Sequence, residues 1–289
     1  MSPYTQGTGA TGAHELIDLH THSSYSDGLL APAARVELAA TRAVRLLALT
    51  DHDSVAGLEL AQQACSLRGI RFVPGVELSC DWQGRELHVI GLRIEPRDAG
   101  LLLHCEALGR LRCARLQRMG ERLASLGMPA DTLVAAALQA PVPTRTHLAR
   151  ALAAGGFARG TQEAFERYLA PGRPGFVAAA WPGLEQVMSC IRRAGGLAVL
   201  AHPHRYSLSA AQLRELLGRF KALGGEGLEV SLAGMGRSDT LRVETLAQRF
   251  ELAGSVGSDF HEPGLPWRPL GRFAKLPAAI RPITARLGL

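Results

Sequence analysis

Two histidines separated by a single residue, His20 and His22, directly follow the short apolar run 16–19. Side chains at positions i and i+2 of an extended chain point the same way, so both imidazoles can reach one metal ion. An isolated pair of this kind is more often a set of surface or hydrogen-bonded histidines. The rest of the chain favours a metal site, because further apolar runs also end in imidazole or carboxylate side chains.

Four more apolar runs lead into possible metal ligands. Runs 46–50, 70–76, 197–201 and 254–258 lead, in that order, into Asp51, His52 and Asp53, into Glu77, into His202 and His204, and into Asp259 and His261. Another imidazole, His88, lies within the strand-like stretch 86–92. The strands of a parallel α/β barrel deliver their last residues to one face, so this recurrence predicts a metal site at the strand ends.

The length and the patterning predict one large α/β domain with an insertion. The chain has 289 residues, of which 47% are hydrophobic, enough to bury a core of this size. Helical patterns alternate with the strand-like runs, as is typical of βαβ units in a mostly parallel sheet. These helical patterns cover residues 32–43, 54–68, 184–194 and 211–223. Residues 1–14 are rich in Gly and Thr, and we predict that they form a disordered tail.

The sequence pattern changes between residues 100 and 177, where runs typical of strands are absent. We predict a helical insertion, or lid, over 100–177, with the barrel formed by 15–99 and 178–289; the expected helices are 101–126, 132–139, 146–154 and 161–169. The insertion has ten arginines, five acidic residues and no lysine, and so holds most of the formal charge of +6. Its first-helix arginines are interpreted as a solvated face, or alternatively as a basic lid over an anionic substrate. They are Arg110, Arg112, Arg115, Arg118 and Arg122.

The five cysteines form no Cys-x-x-Cys pair and are odd in number. They support neither a disulfide framework nor a cysteine zinc site, which favours a reducing, cytoplasmic location. No apolar run approaches the roughly 20 residues that a membrane-spanning helix needs. We therefore expect no membrane association and no obligate protein partner. Aromatic residues make up only 5% of the chain, which argues against a duplex nucleic-acid binder despite the sequence pI of 9.4.

The order of these motifs resembles that of the polymerase and histidinol phosphatase (PHP) superfamily. The resemblance covers the chain from about residue 15 to 94 and from about 177 to 269. Within the superfamily, the insertion and the string 143–150 resemble the branch of 3',5'-nucleoside bisphosphate phosphatases and 5'-3' exoribonucleases acting on short RNA. The motifs that carry the resemblance are His20-Thr21-His22 with Asp27, Thr50-Asp51-His52-Asp53, Pro74-Gly75-Val76-Glu77, His88, Ala201-His202-Pro203 and Ser258-Asp259-Phe260-His261.

The resemblance implies a distorted (β/α)7 barrel whose strand ends hold two or three divalent metal ions. One ion would be bound by His20, His22, Glu77 and Asp259, and Glu77 would bridge to a second ion held by His88 and His202. The third would be bound by Asp27, His52 and His261. A mixed set of imidazoles and carboxylates suits Mn, Fe or Zn, and the resemblance favours manganese. Asp51 and Asp53 are expected to orient imidazoles by accepting their N–H groups, with helix capping as the alternative for Asp53.

A hydroxide shared between two metal ions is a strong nucleophile toward a phosphate ester near neutral pH. With the resemblance, this predicts a phosphatase that removes the 3'-phosphate of nucleoside 3',5'-bisphosphates and also trims short RNA from its 5' end. One alternative is a histidinol-phosphate or other small-molecule phosphatase. Another is a metal-bearing proofreading or binding module that serves a polymerase. Turnover of a phosphate ester by the purified protein alone discriminates against this last reading.

Glu77, Asp259 and His204 are the expected catalytic residues. His204 lies two residues after His202 and is expected to donate to a phosphate or to the leaving oxygen. Arg145 and His147 follow the rigid segment 141–143, and we expect them to hold the phosphate that is not cleaved. Ser24 is a further candidate for substrate binding, on position alone.

Overall fold

The computed structural model describes residues 16–265 and 267–288. The predicted tail, residues 1–14, lies outside the described residues. Seven strands are present: β1 (Leu16–Asp18), β2 (Val44–Leu49), β3 (Arg71–Trp82), β4 (Arg85–Leu92), β5 (Leu197–Leu200), β6 (Gly227–Leu232) and β7 (Ala253–Gly257). The helices are α1 (Pro32–Thr41), α2 (Leu58–Arg68), α3 (Ala99–Ala124), α4 (Ala130–Ala137), α5 (Arg145–Ala154), α6 (Thr161–Ala164), α7 (Leu184–Arg193), α8 (Ala210–Ala222) and α9 (Arg237–Arg249).

The strands form one sheet in chain order, from β1 to β7. Strands β1 to β3 are parallel to one another, as are β5 to β7, whereas β4 is antiparallel to both of its neighbours. Only Gln83 and Gly84 separate β3 from β4, and both have positive φ angles, of 52° and 74°. A two-residue turn of this kind joins antiparallel strands. The predicted α/β class with a mostly parallel sheet is confirmed.

The ends of the sheet approach each other through backbone hydrogen bonds beyond the paired strands. Leu19, just after β1, donates to the carbonyl of Val256 in β7 at 3.0 Å. His22 donates to the carbonyl of Phe260 at 2.9 Å. The segments that leave β1 and β7 therefore lie side by side.

Both faces of the sheet are covered by apolar residues. Leu46 and Ala48 of β2 belong to a buried cluster on one face, and Leu47 and Leu49 belong to the cluster that packs against the helices. All four are fully buried. A strand that is covered on both faces has a nearly continuous run of apolar residues, as β2 does. The insertion has its own apolar cluster, built mainly from α3, α4 and α5.

Two arginines of α3 contradict the solvated-face interpretation. Arg112 and Arg115 are buried, with exposures of 6% and 5%, whereas Arg110, Arg118 and Arg122 are exposed. Arg112 donates to Oδ2 of Asp53 at 2.7 Å, and Arg115 donates to Oε2 of Glu86 in β4 at 3.0 Å. The two guanidinium groups therefore attach the insertion to the sheet.

Several boundaries differ from the sequence predictions. Helix α2 begins at Leu58 rather than at residue 54, and the last predicted insertion helix is split into α6 and the π-helical turn Phe165–Leu169. Strand β6 and helix α9 were not predicted. Within 16–265 and 267–288, the structure has no helix that is long and apolar enough to cross a membrane.

Candidate metal centre

Most of the predicted ligands lie in the segments that follow strands, at one edge of the sheet. His20 and His22 follow β1, His52 follows β2, His202 follows β5, and His261 follows β7. The expectation that Glu77 ends its strand is wrong, because β3 continues to Trp82 and pairs with β4 in a hairpin. A parallel bridge between His52 and Glu77 nevertheless brings this carboxylate to the level at which β2 ends.

Four side-chain atoms converge on one point between β1, β3 and β7. The Nε2 atoms of His20 and His22 are 3.0 Å apart, and each lies 3.2 Å from Oε2 of Glu77. Oδ1 of Asp259 lies 3.5 Å from the first and 3.3 Å from the second of these nitrogens. Ligand atoms that share an ion at about 2.1 Å lie roughly 3.0–3.4 Å apart, so the spacing fits a common ion.

A second group forms around the other oxygen of the same carboxylate. Oε1 of Glu77 lies 2.9 Å from Nε2 of His202 and 3.1 Å from Nδ1 of His88. The two ring nitrogens are 3.4 Å apart. Glu77 is completely buried, and its two oxygens thus face different groups of imidazoles.

The third group contains Asp27, His52 and His261, with His22 beside them. Oδ1 of Asp27 lies 3.2 Å from Nε2 of His261 and 3.8 Å from Nε2 of His52. His52 also lies between groups, since its Nδ1 is 3.0 Å from Oε2 of Glu77. The three groups are therefore contiguous.

Several buried polar atoms in these groups have no hydrogen-bond partner. They are Nδ1 of His22, Oδ1 of Asp27, Nδ1 of His52 and Oε2 of Glu77. Buried polar groups in proteins are almost always satisfied, so these atoms fit positions that bind cations. The donor set of imidazoles and carboxylates suits divalent transition metals.

The charge balance of the groups also fits bound cations. Burial lowers the pKa of His22 and His88, but the neighbouring carboxylates Asp259 and Glu77 outweigh it and raise these values to about 9 and about 10. Burial raises the pKa of Glu77, but His20 and His52 hold it well below its usual range. Without metal ions, the carboxylates thus retain protons on some of the imidazoles.

Glu229 is a residue of the centre that the sequence analysis missed. It lies in β6 and is completely buried. One of its oxygens accepts a hydrogen bond from Nδ1 of His20 at 2.8 Å, and the other accepts from the backbone N–H of His202 at 2.6 Å. A carboxylate on the distal nitrogen fixes the orientation and tautomer of a ligating imidazole. The signal was a lone acidic residue in the apolar run 227–232.

Asp51 and Asp53 do not have the expected role. Asp51 accepts hydrogen bonds from the backbone and hydroxyl of Ser23 and from the hydroxyl of Ser26. It therefore orders the loop between His22 and Asp27. Asp53 accepts from Ser79 and Arg112, so it joins the insertion to β3.

Two arginines were missed at the other side of the centre. Arg205 pairs with Oδ2 of Asp259, and Arg268 lies 3.2 Å from the same oxygen. Burial raises the pKa of Asp259, but Arg205 and His20 hold it well below its usual range. Arg205 directly follows His204, and this basic continuation of the motif was the available signal.

Two of the predicted substrate-binding residues, Arg145 and His147, lie in the first turn of α5. Arg145 lies 3.5 Å from Glu86, which is itself 3.8 Å from His88. His147 accepts the backbone N–H of Thr144 in a capping box, which starts α5. His204 lies in the short turn Pro203–Arg205, with its Nδ1 buried and without a partner.

Ser24 is held by its backbone N–H, which donates to Leu30. Neither Ser24 nor His204 shares a hydrogen bond or ion pair with the predicted ligands in the described part of the chain. The insertion nevertheless reaches the centre at Thr144, whose hydroxyl donates to Oδ2 of Asp27 at 3.2 Å. Arg150 donates to the backbone carbonyl of Asp27 at 2.8 Å.

The backbone is strained at the centre. Asp53, His202 and Asp259 have positive φ angles of 48°, 29° and 51°. Non-glycine residues in this region cost on the order of 1–3 kcal/mol each and cluster at functional sites. The strain at His202 and Asp259 places two predicted ligands at the ends of β5 and β7.

The fold and the three contiguous groups define an α/β protein with a candidate multi-metal centre. A family model, the PHP domain, matches residues 18–107. A 3',5'-nucleoside bisphosphate phosphatase of Chromobacterium violaceum is 39% identical over 94% of this chain and 96% of its own length. A 5'-3' exoribonuclease of Haemophilus influenzae is 37% identical over 92% of this chain and 97% of its own.

A solved structure from Chromobacterium violaceum, described as an amidohydrolase with bound sulfate and no metal, has a TM-score of 0.89 and 38% identity. The match covers 94% of this chain and 95% of that chain. The chain belongs to the PHP-domain family. The resemblance predicted from the ordered motifs is confirmed.

Proposed function

We propose that this protein is a metal-dependent phosphatase that removes the 3'-phosphate of nucleoside 3',5'-bisphosphates, with 5'-nucleotide and phosphate as products. The observation that carries the proposal is the junction at Glu77, whose two oxygens face two groups of imidazoles. The phosphatase of Chromobacterium violaceum, similar over nearly the whole chain, supports this substrate class.

We propose that the ligand sets are those that the resemblance implies, with manganese as the ion. Divalent ions bound there would lower the pKa of a water molecule and neutralise phosphoryl oxygens during in-line displacement. Glu77 would contribute one oxygen to each of two groups of ligands, and Glu229 would keep Nε2 of His20 turned toward Glu77 and Asp259. Asp259 would be held in place by Arg205 and Arg268.

The chain's own side chains would bind the ester and handle the proton of the leaving oxygen. His204 has a free Nδ1, and we propose that it donates a proton to the departing 3'-oxygen of the ribose. Burial lowers the pKa of His204, so the protonated imidazole that acts as the donor would be the minor form near neutral pH. Ser24 is retained as a polar contact in the loop between the ligands His22 and Asp27.

We propose that Arg145 and His147 hold the 5'-phosphate. The Arg145 side chain is 25% exposed, and its partner Glu86 is also paired with Arg115 at 3.0 Å. A phosphate can therefore replace Glu86 as the partner of Arg145, because Glu86 remains paired with Arg115. His147, at the start of α5, would donate from the ring nitrogen that the capping box leaves free.

Trimming of short RNA from its 5' end is a second activity that we propose for the same centre. The similar protein of Haemophilus influenzae is named a 5'-3' exoribonuclease. The 5'-terminal nucleotide of such an RNA carries a 5'-phosphate and a 3'-phosphodiester, so it presents the same two phosphorus centres. We also propose that 100–177 acts as a lid over a distorted barrel formed by 15–99 and 178–289.

The test is phosphate release by manganese-loaded protein from adenosine 3',5'-bisphosphate, beside histidinol phosphate, 5'-AMP and a 5'-phosphorylated RNA pentamer. Fast release from the bisphosphate, with accumulation of 5'-AMP, is expected. Activity on histidinol phosphate alone would contradict the nucleotide proposal and favour the small-molecule alternative. The absence of turnover on all four esters would favour the proofreading or binding module.

A further inference from the structure

Trp267 differs from the other two tryptophans of the chain. Its exposure is 52%, whereas Trp82 and Trp181 are 8% and 6% exposed. Burying an aromatic side chain contributes strongly to the free energy of folding or binding. An indole ring left in solvent beside a candidate active site is therefore available for a ligand.

The indole lines a cavity of about 550 Å³ between the insertion and the loop that follows β7. Phe165, from the π-helical turn after α6, is a second aromatic side chain of this cavity. Small-molecule sites measure roughly 300–1,000 Å³ and are lined by apolar and aromatic side chains with a few polar groups. The cavity is thus large enough for a nucleoside.

The cavity is continuous with the metal centre. His261 belongs to the third group of predicted ligands and also lines the cavity. Arg268 lines it too and lies 3.2 Å from Asp259. A substrate with a phosphate at the centre would therefore extend its remaining part into this space.

The loop that carries Trp267 is held closely by its surroundings. Gly234 has a φ of +76°, and a Cβ atom there would lie 2.9 Å from the carbonyl oxygen of Trp267. This close approach requires glycine. The next residue, Arg268, pairs with Asp259 through its guanidinium group at 3.2 Å. These two contacts hold the segment that carries the indole.

The polar side chains of the cavity are partly engaged by the protein. Gln162 donates to Glu166 at 2.9 Å, and Arg150 lies 3.6 Å from Glu262. Two side chains that could read the edge of a base are thus already paired within the protein. Aromatic stacking tolerates every base, because each base has a π-face.

We propose that this cavity is the nucleobase subsite and that Trp267 stacks on the base of the substrate. The inference rests on the proposed function, because it places the cleaved phosphate at the metal centre. It goes further in assigning base recognition to stacking, with broad tolerance for the identity of the base. The ligand is the base of a single nucleotide, either free or at the 5' end of an RNA.

The experiment compares kcat/KM of the manganese-loaded protein for adenosine 3',5'-bisphosphate and for methyl riboside 3,5-bisphosphate, which lacks a base. Trp267→Ala should lower the ratio of the two values roughly five- to 150-fold, the loss expected for one stacked base. Trp267→Phe should keep the ratio within about threefold, because a phenyl ring also stacks. Leu103→Ala is the control, since this leucine of the insertion is exposed as well and lies outside the cavity lining.

Binding gives an independent readout. Titration with 5'-AMP should quench tryptophan fluorescence in the wild type and not in Trp267→Phe, because the remaining tryptophans are buried. Equal losses on both esters, or quenching that survives in Trp267→Phe, would overturn the subsite while the proposed function stands. If the wild type does not hydrolyse the bisphosphate, the proposed function fails, and the titration alone decides the subsite. The variant Phe165→Leu should also lower the ratio, and it replaces Trp267→Ala if that protein does not fold.

Discussion

Glu229 accepts a hydrogen bond from Nδ1 of His20 at 2.8 Å, and both side chains are completely buried. This bond leaves only Nε2 of His20 to face Glu77 and Asp259. Burial lowers the pKa of His20, but Glu229 and Glu77 outweigh it and hold the pKa well above its ordinary value. The orientation of the imidazole is therefore set from β6, on the side away from the candidate ion.

We predict that Glu229→Gln weakens metal binding and lowers activity roughly 10- to 100-fold, as is typical for the loss of a carboxylate that orients a ligand. Metal content after dialysis against a chelator measures the effect. The matched control is Glu226→Gln, since Glu226 lies just before β6 and pairs with Arg286 at 3.4 Å. An unchanged metal content in Glu229→Gln would show that His20 does not depend on this bond.

Asp259→Asn should lower both metal content and activity while the secondary structure is retained. The amide removes a negative charge that faces His20 and His22 and leaves Arg205 and Arg268 without their shared anion. Metal analysis and circular dichroism test the two parts separately. Full activity at normal metal content would exclude Asp259 from the ligands.

Arg145→Ala should reduce kcat/KM for adenosine 3',5'-bisphosphate far more than for an aryl phosphate. A hydrogen bond to a charged group contributes about 1.5–3 kcal/mol, or roughly 10- to 150-fold. Arg159→Ala serves as the control, because the Arg159 side chain is 91% exposed. Equal losses on the two esters would contradict a role in holding the second phosphate.

Arg112→Ala should destabilise the fold by about 3–5 kcal/mol, because it leaves the buried carboxylate of Asp53 without its cation. Urea denaturation measures the free energy of unfolding. Arg110→Ala, two residues earlier on the exposed face of α3, should change it by less than about 1 kcal/mol. Similar losses in both variants would argue against a specific role for the buried pair.

After removal of the metal, the stability of the fold should fall as the pH rises into the alkaline range. In the metal-free protein, the pKa of His22 is raised to about 9 and that of His88 to about 10. Their protonated forms stabilise the fold fully below the unfolded value of about 6.5, and this contribution is lost as the pH rises through 9 and 10. Chelator-treated protein should therefore show a Tm that falls between pH 7 and pH 10, and manganese-loaded protein a smaller fall. Parallel curves would contradict the prediction.

The sequence predicts which motif residues meet in the centre, because short apolar runs indicate strands and the residues that follow parallel strands share one edge of the sheet. His20, His22, His52 and His202 could be predicted to lie together because each is close to the end of an apolar run. Glu77 was assigned to the right strand but to the wrong place in it, because the strand-like pattern does not show that β3 continues into a hairpin.

Such local patterns do not predict contacts between distant segments of the chain. Glu229 touches His20 from a strand 209 positions away, and β6 itself was not predicted. Arg112 and Arg115 were interpreted as solvated because helical periodicity shows which residues share a face, and not what that face packs against. Only the packed structure supplies the partners Asp53 and Glu86.

The attachment of α3 through Arg112 and Arg115 has a consequence for the evolution and engineering of this chain. Arg112 binds Asp53, the neighbour of His52, and Arg115 binds Glu86, two positions before His88. Excision of the insertion, or its exchange for the corresponding segment of a relative, would leave two acidic side chains without these cations beside the predicted ligands. A graft therefore has to include these two arginines in the new segment or replace both acidic residues at the same time.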